Sequence, residues 1–144
     1  MKIFTIGFTK RSAREFFTSL SLAEVKRLID VRLNNVSQLA GFSKRDDLKF
    51  FLDVICGIPY VHVPELAPTQ DLLDDYKKVS KNWAEYETRF NALIDERHIE
   101  HIVSREMLES ACLLCSEHTP EYCHRRLVAE YLREKWGDVE ISHL

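Results

Sequence analysis

Residues 111–126 read ACLLCSEHTPEYCHRR. The opening five residues are apolar, too short for a free-standing helix and without alternation, which is the pattern of a strand buried on both faces of a parallel sheet. The chain then turns polar through Ser116, Glu117 and His118. Thr119, Pro120 and Glu121 carry the signals of a helix start: an N-cap, a proline at the first helical position and an acid in the first turn. Strand, loop and helix N-terminus in succession is an α/β unit. It leaves unpaired backbone N–H groups and the positive end of a helix dipole facing the loop, an environment that favours an anion or a thiolate. Ligands of open parallel sheets collect beyond the carboxyl ends of the strands. Three of the four cysteines, two of the six histidines and two adjacent arginines fall in this stretch, so chemistry concentrates here.

Working outward, residues 2–6 read as a first strand ending at Gly7. Ser12 and Glu15 have capping-box spacing and start a helix that turns Phe16, Phe17 and Leu20 inward; Ser21 and Glu24 repeat the signal. Residues 28–31 form a second strand, with Asp30 and Arg32 at its end. The weakly patterned stretch 33–42 is long enough to be a functional loop. Ser43 caps the next helix, which carries the stripe Leu48, Phe51, Leu52 and Ile55 and stops at Gly57. A third strand spans 58–63. Residues 71–102 are mainly helical and supply a covering layer through Leu72, Tyr76, Trp83, Tyr86, Phe90 and Ile94. After the strand at 111–115, a helix over 121–136 ends at Gly137, and a last strand covers 139–143. Five strands alternating with helical patterns predict a single α/β domain spanning residues 1–144, three layers deep, with a largely parallel sheet flanked by helices.

A 144-residue chain that is 45% hydrophobic and 30% charged has the composition of an ordinary globular domain. The net charge of −3 argues against coating nucleic acid by bulk electrostatics, although Lys10, Arg11, Arg14, Lys44, Arg45, Arg125 and Arg126 would form a basic rim if folding gathered them. No apolar run approaches a membrane span and no secretory signal is visible, so the expected location is the cytoplasm and the cysteines are expected reduced.

Five motifs in order are distinctive: TIGFTKRS (5–12), LIDVR (28–32), GFSK (41–44), IPYVHVPEL (58–66) and LLCSEHTPEYCHR (113–125). Together they resemble the bacterial and archaeal family known as domain of unknown function 488. The resemblance covers nearly the whole chain. It implies a compact α/β fold with a polar cluster drawn from the motifs, and an enzymatic or nucleic-acid-linked role. Position by position it points to Arg11, Ser12, Asp30, Arg32, Ser43, Lys44, His62, Glu65, Cys115, Glu117, Cys123, His124 and Arg125. The chain departs from the pattern after DVR, with Asn35 and Gln38 where the family usually has proline and arginine, and after PEL, where Ala67 and Pro68 stand.

Cys123 falls in register with Leu127, Val128, Tyr131 and Leu132 and so faces the sheet, where a plain core role stands beside that of a thiol activated by the helix N-terminus, whereas His124 and Arg125 are turned from that stripe towards the loop and a ligand. Arg126 pairs with Glu130 at i, i+4 spacing. Cys112 is a small core residue, and Cys115 sits at the strand end. Cys115, Cys123 and His124 have the chemistry of a zinc or iron site, but no second cysteine pair accompanies them and no metal site is assigned. A redox pair of Cys115 and Cys123 lacks the usual CxxC spacing. No dinucleotide or P-loop fingerprint is visible, and no cofactor is assigned.

The leading expectation is a hydrolase or group transferase for a phosphate-bearing substrate, a nucleotide or nucleic-acid element. Arg125 and Arg32 hold the anion with Lys44, Arg11, Ser12, Ser43, His62 and Glu65 around it, and Glu117, Asp30, His124, Cys115 and Cys123 carry the chemistry. The alternatives are a non-catalytic anion-sensing or nucleic-acid-binding module, and a domain stabilised by metal on Cys115, Cys123 and His124.

Overall fold

The computed structural model describes residues 1–36 and 41–144; the departure at Gln38 lies outside the described residues. Five strands, β1 (Lys2–Gly7), β2 (Arg27–Asp30), β3 (Tyr60–His62), β4 (Ala111–Cys115) and β5 (Glu140–His143), form one sheet in the order β3-β2-β4-β1-β5. Every pairing is parallel, as the alternation of strand and helix patterns predicts. All five residues of β4, the central strand, are buried.

Helices α1 (Ala13–Leu22) and α2 (Arg45–Phe51) cover one face of the sheet through Phe16, Phe17, Leu20 and Leu48. Helices α3 (Gln70–Asp74), α4 (Trp83–Glu96), α5 (Ile99–Ile102), α6 (Arg105–Leu108) and α7 (His124–Trp136) lie in the remaining connections, and Phe90, Ile94, Leu108, Leu127 and Leu132 cover the other face. Alternation along β4 divides it between the two cores, with Cys112 and Leu114 on the first face and Leu113 and Cys115 on the second. The chain leaves β2 across the first face and leaves β4 across the second. Two neighbouring strands whose connections diverge in this way open a crevice beyond their carboxyl ends, where open parallel sheets bind ligands. No helix among the described residues is long and apolar enough to cross a membrane.

Local signals are realised unevenly. Ser12 caps α1 by accepting from the Glu15 N–H at 3.1 Å. Ser21, whose signal predicts a second helix or an extension of the first, lies inside α1, which ends at Leu22, and Glu24, at φ 56°, turns the chain towards β2. Ser43 sits in a 3-10 turn and Lys44 takes the cap position of α2, while Gly57, at φ 65°, ends the π-helical continuation of that helix. β3 is shorter than the predicted 58–63, and the helical region after it is broken at Lys81, φ 51°, and His98, φ 51°. The last helix starts later than Thr119 and Pro120 predict. The Pro120 carbonyl accepts from the Cys123 N–H at 3.3 Å and from the Arg126 side chain at 3.2 Å, closing a turn, and Cys123 becomes the N-cap of α7.

Candidate functional site

A cavity of about 170 Å³ occupies the crevice beyond β2 and β4. Cys115, the last residue of β4, lines it together with Cys123 and His124 from the start of α7. Arg32, two residues past β2, forms a second side. The third is aromatic: Tyr76, Trp83, Tyr86 and Tyr122 line it, with Trp83 stacked on Tyr86 at 5.1 Å and meeting the Tyr122 ring edge-on at 5.6 Å. Lys77 and Glu117, paired at 3.3 Å and both half-exposed, line it as well.

The thiol and imidazole groups are closely gathered. His124 Nδ1 is 3.5 Å from Cys115 Sγ, and the two sulfurs and the ring nitrogen all lie within 4.8 Å of one another. His124 Nε2 donates to the Val31 carbonyl at 2.6 Å, which fixes a proton on that nitrogen and leaves Nδ1 facing the thiols. A hydrogen bond from the Cys123 thiol holds the Cys115 pKa well below its ordinary value against the effect of burial, and His124 adds to this. Burial and the neighbouring Cys115 sulfur push Cys123 well up. Burial opposes the charged form of His124, but the charge on Cys115 outweighs it and raises the imidazole pKa. Among the described residues a second group with metal-ligand chemistry, His98, Glu100 and His101, lies within the same spacing, but both histidines are exposed.

Asp30 holds Arg32 in place. Its carboxylate accepts from Arg32 Nε and Nη2, each at 2.9 Å, from the Arg32 N–H at 3.1 Å and from the Tyr60 hydroxyl at 2.5 Å. Burial disfavours the Asp30 charge, but the Arg32 guanidinium more than offsets it, so the carboxyl sits below the usual range. The Arg32 guanidinium lies 5.4 Å from the Phe8 ring centroid and is 2% exposed. Its third nitrogen, Nη1, is buried without a hydrogen-bond partner, and the residue lines the cavity.

Arg125, expected to turn with His124 towards the loop and a ligand there, reaches the loop from beneath; both residues are buried, and Arg125 does not line the cavity. Its Nε donates to Thr5 Oγ1 at 3.2 Å and its Nη1 to the Glu117 carbonyl at 2.6 Å, so it runs beneath the loop after β4 and fastens that loop to β1. The loop passes so close to Gly7 that a Cβ there would stand 1.6 Å from the Glu117 oxygen. Only a residue without a side chain fits. Arg126 pairs with Glu130 at 3.0 Å.

The cavity thus brings together Cys115, Glu117, Cys123, His124 and Arg32. Asp30 stands behind Arg32, and His62 Nε2 donates to the Arg32 carbonyl at 2.9 Å from outside. Arg11 reaches the Leu144 carbonyl instead, Ser12 is occupied as a cap, and Ser43 is buried in its turn. Lys44 and Glu65 are exposed, and the Glu65 backbone carbonyl accepts from Arg97. Tyr76, Lys77, Trp83 and Tyr122 line the cavity without having been singled out from sequence. Tyr76 and Trp83 have the spacing of a helix covering layer, and Tyr122 lies in the turn before α7; nothing in periodicity separates a ring that packs from a ring that also faces a cavity.

No curated protein and no solved structure matches the chain. The model of the family described as Domain of unknown function DUF488 matches residues 12–132, most of the 144-residue chain and all of the cavity's lining, and the chain belongs to that family.

Proposed function

We propose that the protein is a hydrolase or group transferase acting on a phosphate-bearing, nucleotide-like substrate in this cavity. One observation carries the reading: Arg32, a buried guanidinium fixed by Asp30 and keeping one nitrogen, Nη1, without a hydrogen-bond partner, lines the same cavity as Cys115, Cys123 and His124. Leaving a buried donor unsatisfied costs about 1–3 kcal/mol, and more for a charged group. A phosphate oxygen removes that cost with a charge-assisted bond, and guanidinium geometry suits it. Lys77 adds a second cation, the ring wall suits a planar base, and Glu117 is the carboxylate available for proton transfer. The reacting end of the substrate would lie against Cys115, Cys123 and His124.

The test is a panel of nucleoside mono-, di- and triphosphates and short oligonucleotides, followed for binding by calorimetry and for product by chromatography. Turnover that disappears in a folded Arg32→Met variant supports the assignment. Saturable binding without any product would reassign the cavity to an anion-sensing module, and binding unchanged in Arg32→Met would remove the anion site altogether.

A further inference from the structure

We propose that Cys115, Cys123 and His124 form a binding site for a zinc-class divalent cation, with an open fourth coordination position facing the cavity. The proposal rests on the functional reading above only for what occupies that fourth position. The ligand set itself stands on geometry.

Zinc bonds to thiolate at about 2.3 Å and to imidazole at about 2.0–2.1 Å in a tetrahedral arrangement, which puts a sulfur and a nitrogen ligand roughly 3.5–3.6 Å apart. Cys115 Sγ and His124 Nδ1 are separated by 3.5 Å, and Cys123 Sγ completes a triangle with no side above 4.8 Å. The imidazole is oriented as a ligand should be. Metal-bound histidines commonly donate their second ring N–H to a backbone carbonyl, and His124 Nε2 does so to Val31, turning the Nδ1 lone pair towards the sulfurs.

Placement favours a preformed site. Cys115 ends the central strand in register with Gly7, while Cys123 and His124 are the N-cap and first residue of a 13-residue helix. Arg125, the next residue, fastens that helix to β1 and to the loop. Two thiolates and a neutral imidazole balance a dication. Three protein ligands and an open position is the catalytic pattern of zinc, whereas structural sites close with four. Among the described residues the cluster has three members, and all three line the cavity. Water or a phosphate oxygen can fill the fourth place, in the cavity that Arg32 also lines.

The experiment uses the full chain, purified without a tag, under reducing conditions and without chelator. Metal content is measured by mass spectrometry, and the metal-free protein is titrated with cobalt(II). The expected result is about one equivalent of metal per chain and a cobalt spectrum with a thiolate charge-transfer band and tetrahedral visible bands. Metal affinity should fall by roughly tenfold or more in Cys123→Ser and in His124→Ala, the loss that disturbing even an outer-shell partner produces. Arg32→Met, which touches no ligand, should retain it. A folded wild-type chain that takes up no metal, retention in Cys123→Ser, or loss of two hydrogens as a Cys115–Cys123 disulfide in place of metal uptake would overturn the site. Adding a nucleoside monophosphate then separates the two readings. Shifted cobalt bands support both, while unchanged bands with no binding overturn the substrate reading and leave the metal site standing.

Discussion

Replacing Asp30 by alanine removes the carboxylate that accepts from two of the three nitrogens of a buried guanidinium. Arg32 is 2% exposed, and Asp30 supplies the acceptor for both Nε and Nη2 at 2.9 Å; the Phe8 ring, 5.4 Å from the guanidinium, does not replace a carboxylate. Breaking a buried pair by deleting one partner costs about 3–5 kcal/mol, because the other charge is left uncompensated. With each kcal/mol worth about 3 °C in a domain of this size, the melting temperature should fall by roughly 10–15 °C. Urea unfolding followed by circular dichroism reads the same quantity as a shift in midpoint. The double variant Asp30→Leu, Arg32→Met separates structure from function. Apolar replacement of both charges is often neutral or better, so most of the stability should return, while phosphate binding should not. A single-variant loss below about 1 kcal/mol, or a double variant no more stable than Asp30→Ala, would refute the reasoning.

The same carboxylate sets an acid limit. Because the folded-state pKa of Asp30 is depressed, its contribution is full above the unfolded value of about 3.9 and is lost as pH falls through the folded value, a fall that Asp30→Asn should not show in acid-titration unfolding. Gly7→Ala drives a Cβ to 1.6 Å from the Glu117 oxygen and 2.9 Å from Arg125 Nη1, and should cost about 1–3 kcal/mol or more. Unchanged denaturant midpoints would show that the loop yields freely. Trp83→Ala should weaken nucleotide binding by about 1–3 kcal/mol, the worth of one base stack, and leave sugar-phosphate binding unchanged in parallel calorimetric titrations; equal losses for both ligands would argue against stacking.

The parallel sheet was legible because β4 is uniformly apolar and the helices between strands carry clear stripes. Strand order was not, since hydrophobic patterns do not specify which buried strand lies beside which. At the site, residue types at strand ends indicated Cys115, Glu117 and Arg32. The direction of each side chain did not follow. The helix predicted to open at Pro120 starts at His124, and Arg125 in its first turn donates to the Glu117 carbonyl from under the loop, a tertiary contact that periodicity does not encode. The orphaned Arg32 nitrogen is likewise a property of tertiary geometry, set when Asp30 and Tyr60 meet across two strands.

The position of β1 has a consequence during synthesis. Its two neighbours in the sheet are β4 and β5, the last two strands of the chain. At about 5–20 residues per second, the first of them follows β1 from the ribosome only after roughly 5–20 seconds. Through that interval the apolar residues Ile3, Phe4 and Ile6 have no partner strand, although all three are buried at the end. Residues 27–62 can meanwhile assemble locally, because β2 and β3 pair directly. The cavity is completed at the end of the same wait, since Cys115, Cys123 and His124 arrive on the segment that encloses β1. Nascent chains halted before β4 should therefore hold a β2–β3 subdomain and an unpaired, chaperone-accessible β1, and no ligand site at all.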